Sequence, residues 1–231
     1  MTGGVCALIL AAGSGLRMNL GKTKQRLVLS GESILKRSIR IFNQAKAVDS
    51  IIIVARADEL DFAQSQALGF EKVCKIVPGG KTRAESARIG FSEVAPEVEL
   101  VAIHDAARCF VTEEIIDAVV ADARKYGAAT ASTKIYDTVK RVDADMNILS
   151  TVNRNELVSV QTPQVCRVDT YKKALSAADG TGVEYTDDNM LLENIGIHPH
   201  CTDTGKYNIK ITTREDLDYA EFLLEREKED K

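Results

Sequence analysis

The sequence predicts an α/β fold: a mostly parallel sheet with helices on both faces. Two observations carry this. Short apolar runs rich in Val and Ile recur along the chain, and stretches with helical spacing separate them. In addition, two of the runs stop on glycine-rich sequence that opens a helix, as strands do when they feed a βα turn.

Residues 5–12 (VCALILAA), 50–55 (SIIIVA), 73–77 (VCKIV) and 99–104 (ELVAIH) read as buried strands. Between the first two, Ile34, Leu35, Ser38, Ile41, Phe42 and Ala45 trace one face of a helix. Another helix is expected to start near Thr82, where Thr82 and Glu85 make a T-x-x-E capping box. Residues 113–126 form a third, with Ile115, Ile116, Val119, Val120 and Ala123 on its apolar side. From 134 to 160 the rhythm breaks. Residues 135–142 alternate β-branched and polar side chains, 143–147 are turn-like, and 148–152 resume the alternation, which predicts a two-stranded arm. Such an arm cannot bury itself in its own domain, so a homodimer joined through it is expected. Residues 213–231 read as one amphipathic helix that frays into charge. With no repeat, low-complexity block or linker in view, one domain is expected over 1–231, with the dimerisation arm at about 134–160.

Composition narrows the function classes. A hydrophobic share of 45% with 28% charged residues is that of a folded globular chain and excludes disorder. The net charge of −4 argues against nucleic acid as a partner, although a few clustered cations could still serve a small polyanion. The five cysteines are odd in number, widely spaced and without a CxxC, which points to reduced thiols rather than to zinc or a disulfide framework. The apolar run at 5–12 is too short for a membrane span and follows no basic segment, so a cytoplasmic enzyme without membrane contact is expected.

Three strand ends carry chemistry. The first strand runs into Ala11-Ala12-Gly13-Ser14-Gly15-Leu16-Arg17, with Lys24 a few residues on. Glycines there let backbone N–H groups approach a phosphate and form an anion nest. A dinucleotide fingerprint would need a glycine where Met18 stands, and no P-loop pattern occurs. Alone, this GxG reads equally as a tight βα turn with surface cations. The second strand end, Gly79-Gly80-Lys81-Thr82-Arg83, with Ser86 beyond it, opens a helix and adds donors at the same sheet edge. The third, His104-Asp105-Ala106-Ala107-Arg108, puts a carboxylate at that edge, a natural Mg²⁺ ligand beside a triphosphate. Arg108 would bind phosphate or pair with Asp105, and His104 reads as a packed strand residue rather than a base.

The strings AAG-x-G-x-RM, KQ, GG-x-x-R-x-x-S, HDAAR, DT-x-K, QTPQ, TDD and NIKIT follow in this order over nearly the whole chain. Together they resemble the 2-C-methyl-D-erythritol 4-phosphate cytidylyltransferases of the non-mevalonate isoprenoid pathway. The resemblance implies a Rossmann-like nucleotidyltransferase fold, CTP as co-substrate, Mg²⁺, and a homodimer through the arm. It also implies roles. Ala11, Ala12, Gly13, Ser14 and Gly15 would hold the nucleotide, with Gly80, Arg83, Ser86, Ala106 and Arg108 beside it. Arg17 and Lys24 would stabilise the transition state and Asp105 would bind the metal. Arg154 and Lys210 would grip the phosphate of the polyol substrate. Thr186 would belong to the same pocket, and Thr138 would reach it across the dimer.

Four positions depart from the family's usual pattern: Thr23 stands for proline before Lys24, Cys109 for proline after HDAAR, Asn189 for alanine after TDD, and Asn153 for aspartate before Arg154. Ribitol 5-phosphate cytidylyltransferases resemble the chain in Tyr207-Asn208-Ile209-Lys210, but usually read AGG and DAVR where this chain has AAG and DAAR. A catalytically silent nucleotide-binding protein would be expected to have lost Lys24, Asp105 or Lys210, and all three are present.

Overall fold

The structure, a computed structural model, describes residues 3–13 and 23–229. Its centre is a seven-stranded sheet. In chain order the elements are β1 (Gly4–Ala11), a short hairpin of β2 (Val28–Leu29) and β3 (Glu32–Ser33), α1 (Ile34–Gln44), β4 (Ser50–Ala55), α2 (Leu60–Ala67), β5 (Val73–Pro78), α3 (Arg83–Ser92) and β6 (Val98–Asp105). Then come α4 (Glu113–Tyr126), β7 (Ala128–Lys134), β8 (Val139–Val142), β9 (Ile148–Val152), β10 (Val158–Arg167), α5 (Val168–Ala178), α6 (Asp188–Glu193), β11 (His200–Asp203) and α7 (Arg214–Glu229). The large sheet runs β11-β7-β10-β6-β1-β4-β5. β10 is antiparallel to both its neighbours, and the other pairings are parallel.

Alternation along the strands divides the core in two. Val5, Ala7 and Ile9 of β1, with Ile51 and Ile53 of β4, face α1, α2 and α4. Cys6, Leu8 and Leu10, with Ile52 and Val54, face α3, α5 and α6. A third cluster, including Leu29, Cys109, Phe110 and Ile211, lies under Leu223 and Leu224 of α7. Cys109 is thus a core side chain, and burial pushes its thiol up to about 12.

Local chemistry explains the elements that were legible. Thr112 caps α4 by accepting from Ile115 N at 3.3 Å, acids fill the first turn and Arg124 and Lys125 the last, and Gly127 closes it at φ 89°. Thr82 caps α3 by accepting from Glu85 N at 3.1 Å, but the box does not close on Thr82. The Glu85 carboxylate accepts instead from Lys81 N at 2.6 Å. In α1 the buried face includes Ile39, and Ile41 is only half-buried.

The elements that escaped the sequence have reasons too. Only Ala63 of α2 is buried, so that helix offers no apolar stripe to read. β10 carries Pro163 flanked by three polar residues, Gln161, Thr162 and Gln164, an unpromising strand. Its pairing with β7 is interrupted between Val160 and Gln164, which accommodates the proline.

Within the stretch read as an arm, two antiparallel strands pair, β8 and β9, with β8 starting at Val139 rather than at residue 135; they are joined by a turn in which the Asp143 carboxylate accepts from Asp145 N and Asn147 N. Met146, Ile148 and Leu149 are exposed on it. Among the described residues no helix is long and apolar enough to cross a membrane.

Candidate functional site

The strands β1, β4, β5 and β6 run in one direction, so their carboxyl ends, Ala11, Ala55, Pro78 and Asp105, open onto one side of the sheet. A cavity of about 660 Å³ lies there, walled by Ala12, Gly13, Lys24, Arg56, Gly79, Gly80, Arg83, Ser86, Asp105 and Lys210 among others.

The wall at Gly79 needs glycine. A Cβ there would lie 2.5 Å from Ala12 Cβ and 2.8 Å from Ser86 Oγ, so any side chain would force the two strand ends apart. Ser86 is buried and fixes this turn. Its hydroxyl donates to Thr82 O at 2.9 Å and accepts from Gly80 N at 3.1 Å. On the opposite wall, the buried Gln25 donates from Nε2 to Gly13 O at 3.3 Å and holds the turn Lys24–Arg26 beside the first strand end.

At the floor lies a chain of charges. Asp105 accepts from Arg83 Nε at 2.9 Å on one oxygen and from Lys210 Nζ at 2.6 Å on the other. The Arg83 guanidinium also donates to Asp188 at 2.8 Å, and Asp188 accepts from Tyr171 Oη at 2.6 Å. Burial alone would push the Asp105 carboxyl up, but Arg83 and Lys210 together hold it well below the usual carboxylate range. Burial likewise opposes the charge on Arg83, and the two carboxylates outweigh it, raising its pKa further. Asp105 and Arg83 therefore hold each other in their charged forms.

Lys210 lies far from β6 in sequence and is brought there by its neighbours. Asn208 is fully buried and donates from Nδ2 to Gln161 Oε1 at 3.0 Å and to Thr162 O at 2.9 Å. Ile211 N donates to Ala107 O at 2.9 Å. Arg108 Nη1 donates to Asn208 O at 2.9 Å. Arg108 thus holds the segment that presents Lys210, and it is not among the residues that wall the cavity. Ala106 also turns away from the cavity: it is buried, its N–H goes to Leu10 O at 3.0 Å, and its carbonyl accepts from Ser38 Oγ at 2.9 Å. Ala107 is the neighbour that faces the cavity. Ala11 packs in the core under α1, which leaves Ala12 and Gly13 to line the wall.

His104 is a core residue. Burial pushes its pKa down to about 3, and Thr162 Oγ lies 3.1 Å from Nδ1 while accepting from Asp105 N. The neutral ring serves the packing of β6 on β10 and does not reach the cavity.

Ser14, Gly15 and Arg17 lie outside the described residues. Thr138 and Arg154 are exposed together at the base of the arm, where Arg154 Nη1 donates to Tyr136 O, and neither lines the cavity. Thr186 is exposed just before α6 and does not line it either. The departures are absorbed locally. Asn153 caps its turn by accepting from Asn155 N at 3.2 Å, the part an aspartate would play. Asn189 is buried and donates to Asp187 at 3.2 Å.

Sequence reasoning missed Asp188 as a partner of Arg83, and it missed Arg56 and Asp58, which line the cavity at the end of β4. The rule that sites gather at the carboxyl ends of parallel strands, applied to β4, would have found the latter pair.

A cation-lined cavity at the carboxyl edge of such a sheet is the setting of an α/β nucleotide-binding fold, and the family it falls in makes the class a nucleotidyltransferase. The family model for 2-C-methyl-D-erythritol 4-phosphate cytidylyltransferase matches residues 5–226, and the chain belongs to that family. The relative of that name from Clostridium novyi (strain NT) is 38% identical over 95% of this chain and 96% of its own. One from Caldanaerobacter subterraneus subsp. tengcongensis is 39% identical over 96% and 99%. The crystal structure of 4-diphosphocytidyl-2C-methyl-D-erythritol synthase from Anaerococcus prevotii DSM 20548 superposes with a TM-score of 0.85 at 31% identity, covering 96% of both chains.

Arg83 is the countercharge on which two buried carboxylates depend. Arg83→Met should lower the unfolding free energy by about 3–5 kcal/mol, as expected when a buried charge loses its partner. Urea denaturation checks this, and a loss under about 1 kcal/mol would mean that solvent, not Arg83, compensates the pair.

Proposed function

We propose that the chain transfers CMP from CTP to 2-C-methyl-D-erythritol 4-phosphate, giving 4-diphosphocytidyl-2-C-methyl-D-erythritol and pyrophosphate. The observation that carries this is the set Lys24, Arg83, Asp105 and Lys210 around one cavity in a chain of this family.

The attacking group is a phosphate monoester, already anionic at neutral pH, so no general base is required, in keeping with a neutral, buried His104. The obstacle is repulsion between a dianion and a triphosphate. At about 4 Å and an effective dielectric near 20, each pair of unit charges costs about 4 kcal/mol. Lys24, facing the cavity, and Arg17 offset that repulsion and stabilise charge developing on the α-phosphate. Ala12, Gly13, Gly80 and Ser86 form the nucleotide side of the cavity. Lys210 takes the phosphate of the incoming polyol, exchanging its contact with Asp105 for one with substrate.

Mg²⁺ belongs to the proposal as a companion of the triphosphate. Among the described residues no group of three or more His, Cys, Asp or Glu could hold a metal alone. Asp105 nevertheless fits as a single ligand: it is held ionised, each of its oxygens accepts one hydrogen bond, and each keeps a further lone pair. Mg²⁺ there would neutralise phosphate charge and orient the leaving pyrophosphate.

A homodimer completes the site in this reading. Thr138 and Arg154 lie off the cavity of their own chain at the foot of an arm with exposed apolar residues, which suits delivery into a second copy's cavity. Thr186 would stand at the polyol end.

Pyrophosphate release with CTP and Mg²⁺ is expected with 2-C-methyl-D-erythritol 4-phosphate and not with D-ribitol 5-phosphate; the reverse preference would keep the mechanism and sink the substrate assignment. Subunit sharing has its own test. Lys24→Ala and Arg154→Ala should each be nearly inactive alone, and a refolded equimolar mixture should regain about a quarter of normal activity through hybrid dimers with one intact site. No recovery would place Arg154 in its own chain's site.

A further inference from the structure

The turn that presents Lys24 is held from outside by a residue no motif singles out. The 3-10 turn Lys24–Arg26 is closed by Arg26 N to Thr23 O at 3.0 Å and Leu27 N to Lys24 O at 3.1 Å. A turn so short has little intrinsic stability. On its inner side Gln25 ties it to Gly13. On its outer side both carboxylate oxygens of Glu59 engage it: one accepts from Thr23 Oγ at 3.2 Å, the other from Arg26 Nε at 2.6 Å. The Arg26 guanidinium also lies over the Phe62 ring, 4.3 Å from its centroid.

Glu59 stands at the N-cap of α2, yet its side chain does not cap that helix. It leaves its own helix and reaches residues on either side of Lys24. It also joins that turn to the cavity wall, because Asp58, its neighbour, lines the cavity beside Arg56.

Thr23 has φ −66° and ψ 143°. That φ is the value a proline ring would impose, near −65°. Threonine has no ring, so here the hydrogen bond to Glu59 supplies the restraint. Rotation of residue 23 would swing Lys24 along the cavity wall, and a displacement of about 1 Å at a group that stabilises a transition state can cost up to about a hundredfold in rate.

We propose that Glu59 is a positioning residue for Lys24, clamping the turn through Thr23 and Arg26 in place of a rigid backbone. This rests on the transition-state role given to Lys24 above.

The clamp is tested with steady-state kinetics and amide exchange on Glu59→Ala, Thr23→Pro, their double variant, Lys24→Ala and Lys24→Ala with Glu59→Ala. In Glu59→Ala, kcat should fall about tenfold or more while KM for CTP stays within about threefold, and exchange at residues 24–27 should quicken. Thr23→Pro should restore kcat in the Glu59→Ala background, since the ring fixes φ without the carboxylate. Adding Glu59→Ala to Lys24→Ala should cost nothing further, because Glu59 acts through Lys24. Unchanged kcat and exchange in Glu59→Ala, or a loss that adds fully to that of Lys24→Ala, would overturn the proposal. Failure of the Lys24 role is distinguishable: Lys24→Ala would then turn over normally while exchange in Glu59→Ala still quickened.

Discussion

One carboxylate organises this molecule. Asp105 ends the central strand of the sheet and accepts from two cations that arrive from opposite directions in sequence, Arg83 from α3 and Lys210 from the segment before α7. A buried carboxylate without partners would be protonated or would unfold its surroundings. Here Arg83 and Lys210 supply the countercharge, and Asp188 in turn accepts from Nη1 of Arg83. The cavity floor is therefore electrically balanced before any ligand arrives. A polyanionic substrate can enter and compete for Lys210, whose side chain is about one-third exposed (36%), without stripping Asp105 of its more buried partner Arg83.

Much of the polar sequence beyond the sheet edge exists to keep that arrangement in register. In the stretch Gln161-Thr162-Pro163-Gln164, Gln161 anchors Asn208, Thr162 receives Asp105 N and meets His104, and Gln164 holds Asp187 and the backbone N–H of Asp188. These bonds cross long spans of chain and are mostly buried. Each member left unpaired would cost about 1–3 kcal/mol, so the network is specific as well as stabilising. The antiparallel β10 is what makes this possible, since it lies against β6 and carries these side chains to the floor of the site.

The sequence made legible whatever depends on local periodicity and strand ends. Burial of β1, β4 and β6 appears as unbroken apolar runs, α4 announces itself at both ends, and the arm shows as an alternating pair with a turn between. What stayed hidden depends on tertiary partners. Nothing near Ala106 or Arg108 says that one faces Ser38 and the other Asn208, because those neighbours lie 68 and 100 residues away. The role of Asp188 was hidden in the same way. The family resemblance named the string containing it, but only the fold shows that it shares Arg83 with Asp105. Thr23 is the opposite case: the sequence shows that it stands where the family usually has proline, and only the fold shows its hydroxyl donating to Glu59.

The most direct measurement of the central arrangement is a carbon-detected NMR titration of the Asp105 carboxyl in the folded protein. Held between Arg83 and Lys210, it should remain ionised as pH falls below the ordinary aspartate range near 3.9 and change only as the protein unfolds in acid. A midpoint at or above that ordinary value, with the fold intact, would contradict the pairing on which the site is built.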